Sequence, residues 1–148
     1  MTTSTAQSRA RTIRAHRTVE GALAAGALPA IADVTAAEGL VLGLLGQGVT
    51  KYLVILGHGS TALAEVLRVY QEEGVVRTFQ CRNEVAMAHA ATALRWHYGE
   101  VPAVVTSIGP GALQALAGSL TSASNGVGVW HIYGDETTHG EGYNMQQV

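Results

Sequence analysis

Ala103-Val104-Val105-Thr106-Ser107-Ile108-Gly109-Pro110-Gly111 runs a short apolar stretch into a turn of glycine and proline, and a helical pattern from about Ala112 to Ser122 follows. A stretch that is apolar without alternation reads as a strand buried on both faces. The same succession recurs on either side. Tyr52-Leu53-Val54-Ile55-Leu56 ends in Gly57-His58-Gly59-Ser60, and Thr61 to Glu73 continues with helical spacing through Leu63, Val66, Leu67 and Tyr70. Val75 to Gln80 is the next strand, leading through Cys81-Arg82-Asn83 into a helix over Glu84 to Tyr98. A last strand over Val127 to Tyr133 runs into Gly134-Asp135-Glu136. Strands separated by helices at this rhythm call for right-handed crossovers and a parallel sheet, so the fold class expected is α/β, a doubly wound parallel sheet with flanking helices.

Working towards the N-terminus, Asp33 or Thr35 caps a helix that runs to about Gly46 with Leu40, Val41 and Leu44 on its apolar stripe. Residues 1 to 33 read as a weakly patterned leader, helical in part over Arg9 to Leu28, ahead of one domain over residues 34 to 148. Arg9, Arg11, Arg14 and Arg17 make this leader the only basic stretch, which reads as a solvated helix face or tail in preference to a binding patch. The whole chain of 148 residues carries a formal charge of −2, with 47% hydrophobic and 14% charged residues. Such a balance describes a buried globular core and offers no general attraction for nucleic acid or an anionic membrane. No stretch holds the roughly 20 consecutive apolar residues of a membrane span. Cys81 is the single cysteine, which rules out an intrachain disulfide and suits a reducing cytoplasm.

Open parallel sheets bind ligands beyond the carboxyl ends of their strands, and the unusual residues of this chain collect there. Glycines at two of these turns allow positive φ and a close backbone approach, and Gly109-Pro110-Gly111 opens a helix whose free amides favour a polar or anionic group. Other chemistries find no support. The chain has no Gly-x-Gly-x-x-Gly after a strand and no Gly-x-x-x-x-Gly-Lys-Ser/Thr, its histidines lack zinc-protease spacing, and Ser60 stands one place away from a nucleophile elbow.

Asn83-Glu84-Val85-Ala86-Met87-Ala88-His89-Ala90-Ala91 and Thr106-Ser107-Ile108-Gly109-Pro110-Gly111-Ala112-Leu113 resemble the N-terminal pyrimidine domain of thiamine-diphosphate enzymes of the acetolactate synthase type. The likeness runs from about Thr35 to Val148. In its Gly-His-Gly loop and its Met-Ala-His-Ala-Ala wording it is similar to the trihydroxycyclohexanedione hydrolases of that family. The resemblance implies a flavodoxin-like parallel sheet and thiamine diphosphate as cofactor. It places on Glu84 the glutamate that hydrogen-bonds the pyrimidine nitrogen, favouring the imino tautomer that deprotonates the thiazolium carbon. A carboxyl group suits that role because it shares a proton with a ring nitrogen at short range. An apolar wall from Ala86, Met87 and Ala88 would raise its pKa, whereas the helix N-terminus would lower it.

The resemblance also assigns Gly57, Gly59, Ser107, Gly109, Pro110, Gly111 and Gln114 to the cofactor pocket. On the substrate side it points to His58, His89 and Gln146 or Gln147, although His58 reads equally as a solvated loop residue, His89 reads rather as a packing residue, and Trp130 reads as core. The family's diphosphate and Mg2+ site, a Gly-Asp-Gly segment followed by Asn-Asn, has no counterpart here, so no metal ligand is expected on this chain. A diphosphate-binding subunit or domain is therefore the expected partner, in a hetero-oligomer of dimeric or tetrameric order. A natural split subunit is favoured over a truncated piece. The activity implied is a lyase, carboligase or C–C hydrolase acting on a 2-keto acid or 1,2-dione. A cyclic 1,2-dione hydrolase and a non-catalytic interaction protein are the alternatives.

Overall fold

The computed structural model describes residues 5–135, and its chain divides into two compact units. The first comprises the described residues up to Thr50 together with Ala62–Arg77. Its helices are α1 (Ala6–His16), α2 (Val19–Ala24), α3 (Ala36–Gly46) and nearly all of α4 (Thr61–Glu72). Thr5, Thr18 and Thr35 cap the first three, each accepting from the amide three residues on, as hydroxyl side chains do at helix starts. Arg17, with φ of 69°, interrupts what the sequence suggests as one helix over Arg9 to Leu28 and separates α1 from α2.

Residues expected to form a leader thus belong to the same compact unit as α3. The link is a buried polar cluster. Arg9 donates through Nε and Nη2 to the two carboxylate oxygens of Glu38, at 2.7 and 2.5 Å, and Tyr70 Oη donates to Glu38 Oε1 at 2.9 Å. Burial works against the Glu38 carboxylate, but the hydrogen bonds from Arg9 and Tyr70 outweigh it and hold its pKa below the usual carboxylate value. Ala10, Ile13, Val41, Leu44 and Leu67 complete the interior, while Leu40, expected on the apolar stripe of α3, is exposed.

The second unit comprises Lys51–Thr61 and the described residues from Thr78 onward. Apart from Arg77 it holds the four-stranded sheet, ordered β2-β1-β3-β4, with β1 Lys51–Ile55, β2 Arg77–Gln80, β3 Pro102–Thr106 and β4 Trp130–Tyr133. β3 runs parallel to β1 and β4, with Leu53 beside Val104 and Val104 beside His131. β2 follows β1 through the bond from Cys81 N–H to the Val54 carbonyl. Helices α5 (Glu84–Tyr98) and α6 (Pro110–Ser124) pack on each other and on the central strands. Met87, Ala91 and Ala115 meet Leu53 and Val104 in the core. Tyr52, Val54, Ala103 and Val105, on the other face of β1 and β3, are buried as well. This is the doubly wound α/β class expected from the unalternating strands.

The edge strands are shorter than the sequence suggests. Val75 and Val76 donate back to the Tyr70 carbonyl and Val127 to that of Ser122, closing the ends of α4 and α6 before β2 and β4 can begin. Trp130, expected in the core, lies on edge strand β4 and is 41% exposed. Among the described residues no helix is long and apolar enough to cross a membrane.

The approach of α6 to α5 depends on one glycine. A Cβ on Gly118 would lie 2.6 Å from Ala88 Cβ and 3.0 Å from the Val85 carbonyl oxygen. Gly118→Ala is expected to destabilise the protein by about 1–3 kcal/mol through overpacking, despite a gain of about 1 kcal/mol in helix propensity. At Gly43 on α3 a Cβ would meet nothing within 4 Å, so Gly43→Ala is expected to stabilise by about 0.4–1 kcal/mol. Urea denaturation of the two variants should shift the midpoint in opposite directions. A common direction would remove the steric reading of Gly118.

Candidate active site

From β1 the chain turns one way to β2, while β3 and β4 lie on the other side, so the strand order reverses between β1 and β3. That reversal opens a crevice at the carboxyl ends of the two strands, where ligands of such sheets bind. The loops there are tied to one another. Ser107 N–H donates to the Ile55 carbonyl at 3.1 Å, Ile108 N–H to the His58 carbonyl at 3.1 Å, and Gly134 N–H to the Thr106 carbonyl at 3.2 Å. Ser60 is buried and locks its own turn: its Oγ accepts from Gly57 N–H at 3.1 Å and donates to the Gly57 carbonyl at 3.0 Å. With its bonding taken up by the backbone, Ser60 is a turn residue and not a nucleophile.

Glu84 enters this crevice as the first residue of α5. Asn83, in an extended conformation, accepts from Ala86 N–H through Oδ1 at 2.9 Å and so fixes where the helix starts. Opposite, Gly109 adopts φ 55° and ψ −117°, strained for any residue with a Cβ, and Pro110 begins α6, whose N-terminus has no side-chain cap. Glu84 and the two glycine loops together line an open hollow of about 520 Å³.

Ser107 explains two of its glycines. A Cβ on Gly57 would lie 2.9 Å from Ser107 Cβ, and one on Gly111 would lie 2.6 Å from Ser107 Oγ and 3.4 Å from Glu84 Oε1. The hydroxyl and the carboxylate therefore converge on the bare backbone of Gly111. Gly59 serves the loops instead: at φ 77° its missing side chain leaves room for Ile108 Cγ2, at 2.4 Å, and Asp135 N, at 2.7 Å.

Of the residues picked out from sequence, Gly57, His58, Glu84, Ser107, Pro110, Gly111 and Gln114 line this one hollow. Gly59 and Gly109 shape the loops without lining it. His89 is exposed on α5 and is not among the lining residues, so the packing reading is corrected for this chain as described. Gln146 and Gln147 lie outside the described residues. The apolar wall expected from Ala86 to Ala88 is also absent: Met87 belongs to the core, Ala88 abuts the α6 glycine and Ala86 is exposed. Ile108, inside the Ser107 to Gly111 segment that the resemblance points to, lines it beside Pro110. Cys81 sits in a separate apolar hollow, and burial pushes its thiol pKa up, which disfavours the thiolate needed for nucleophilic chemistry.

A carboxylate at a helix start thus faces a hollow floored by glycine backbone at the switch point of a parallel α/β sheet. Residues 8–148 match the family described as thiamine pyrophosphate enzyme, N-terminal TPP binding domain, and the chain belongs to that family. It is 37% identical over 84 residues to the 3D-(3,5/4)-trihydroxycyclohexane-1,2-dione hydrolase of Bacillus licheniformis. The proteins of the same name from Bacillus thuringiensis and Bacillus cereus are 32% identical over 84 residues. Each alignment takes in 55% of this chain and 13% of the relative's length.

Proposed function

We propose that the chain supplies the pyrimidine half of a thiamine-diphosphate site in an enzyme that makes or breaks a C–C bond next to a carbonyl of a 2-keto acid or 1,2-dione. The observation that carries this reading is the Glu84 carboxylate at the first residue of α5, converging with Ser107 Oγ on the uncovered backbone of Gly111. When bound, the cofactor supplies an electron sink for the carbonyl carbon. Glu84 holds a proton against the ring nitrogen at its carboxylate oxygen. Gly57 and Gly111 let a planar ring approach the backbone closely, and Ile108 and Pro110 exclude water from one side. Gln114 lines the cofactor side of the same hollow, and His58, which also lines it, orients the carbonyl oxygen of the substrate.

The cofactor's diphosphate and Mg2+ are assigned to a partner subunit or domain. Among the described residues no three of His, Cys, Asp or Glu cluster as metal ligands. Within this reading a cyclic 1,2-dione is the favoured substrate class, because the relatives named above are cyclic-dione hydrolases. Titration of thiamine diphosphate with Mg2+ tests the assignment, using this chain alone, a partner carrying a Gly-Asp-Gly…Asn-Asn segment alone, and the two mixed. Micromolar binding and ring-opening of a cyclic dione only in the mixture are expected. Equal cofactor affinity for the partner with and without this chain would overturn it.

A further inference from the structure

The four arginines at the N-terminal end of the chain are not equivalent. Arg9 is paired with Glu38 and Arg11 with Glu73. Arg14 reaches only the Gly74 carbonyl oxygen, at 3.4 Å, the outer limit of a hydrogen bond. Among the described residues no carboxylate forms an ion pair with Arg14 or Arg17. Both line a hollow of about 210 Å³ within the first unit, whose wall also includes Thr18 and Thr50 and contains no acidic residue.

Arg17 is also the one non-glycine residue at positive φ among the described residues, at 69°. A branched-free glycine would satisfy that turn without strain, and backbone strain of this kind tends to persist where a site requires the side chain. Here the strained residue brings a second guanidinium to a hollow that already holds Arg14. Two forked, permanently charged donors beside hydroxyl groups match the oxygens of a tetrahedral oxyanion. Ile13, Val19, Leu45 and Val75 are the apolar residues that line the rest of it. The volume is below the usual range for drug-sized ligands, so the occupant is small.

We propose that this hollow binds a phosphate group, either free orthophosphate or the head of a small phosphate monoester, at a site separate from the one that Glu84 lines. Bound there, the anion bridges the α1–α2 junction to the Gly48–Thr50 turn that leads into β1, and it stabilises the native chain by mass action.

Thermal unfolding of the full chain, titrated with inorganic phosphate, with glycerol phosphate, and with sodium chloride at matched ionic strength, tests the proposal. A saturable rise in Tm at millimolar phosphate, absent with chloride, is expected. It should be lost in Arg14→Ala and Arg17→Ala and kept in Arg11→Ala. Tenfold tighter binding of glycerol phosphate would identify a monoester as the occupant, and equal binding would identify the free ion. Arg17→Gly separates strain from binding: it should raise Tm in the absence of phosphate and abolish the response to it. A phosphate effect that grows without saturation and is the same in Arg17→Gly is general exclusion from the protein surface, and it would overturn the site.

Discussion

Glu84→Gln in the reconstituted enzyme is expected to lower turnover by about 10²- to 10⁴-fold, the range for loss of a positioned acid–base group. The amide keeps the size and helix compatibility of the side chain, so α5 should start where it does now, held by Asn83. What it loses is the ability to take and return a proton at the ring nitrogen. The stability cost should stay within about 0.3–1 kcal/mol, the usual worth of an acidic residue in the first turn of a helix. Cofactor affinity should change by only a few-fold, because the glycine loops and the proposed partner's diphosphate site are untouched. Exchange of the cofactor's thiazolium proton with deuterium, followed by NMR, reads the step that Glu84 is assigned. Exchange and turnover at wild-type rates in the variant would show that this carboxylate is a capping residue and nothing more.

The largest expected effect on stability lies elsewhere, at Arg9. Its side chain is 7% exposed and that of Glu38 is 4% exposed, and the pair is bidentate. Removing one member of such a pair strands the other charge in the interior, at a cost of about 3–5 kcal/mol. Arg9→Ala should therefore lose that amount in urea denaturation, a large share of the total stability of a small domain. Replacing Arg9, Glu38 and Tyr70 together by Met, Leu and Phe should recover most of it, since no polar group is then left without a partner.

The pH dependence supplies a second, sharper reading. In the wild type the folded pKa of Glu38 is depressed, so its contribution is fully present above the unfolded value, near 4.5, and is lost as the pH falls through the folded value. In Arg9→Ala burial acts on Glu38 with no guanidinium to oppose it, and the folded pKa should rise above the unfolded one. Its contribution then carries the opposite sign, favouring the folded state at low pH and fading as the pH rises through the folded pKa. Stability curves from pH 3 to 7 should differ in slope between the two proteins. Parallel curves would mean that Arg9 does not govern the ionisation of Glu38.

Much of the second unit is legible in the amino-acid sequence because its signals are local. The unalternating runs at Tyr52–Leu56 and Ala103–Thr106 require burial on both faces, and they are the central strands. The helix expected over Glu84 to Tyr98 is α5, and the structure shows Asn83 and Gly99 capping its two ends within three or four residues. Glycine turns after the strands pointed to the rim where Glu84 stands. The parts that the sequence leaves open depend on neighbours far along the chain. Trp130 looks like core from its own strand, yet its strand is an edge. Met87 and Ala88 follow Glu84 in sequence, but helical rotation turns them into the α5 interior and leaves the pocket wall to Ile108 and Pro110.

The amino-acid sequence by itself determined the alternation of strands and helices, the parallel class of the sheet and the crowding of unusual residues at the strand ends. All of these follow from periodicity and from what glycine, proline and asparagine permit the adjacent backbone to do. Tertiary structure alone decided the strand order that puts the crevice between β1 and β3, the convergence of Glu84 and Ser107 on Gly111, and the pairing of Arg9 with Glu38. Those outcomes join residues tens of positions apart, and such a partnership is fixed by which surfaces fit and which charges would otherwise be buried alone, information that no local window of residues carries.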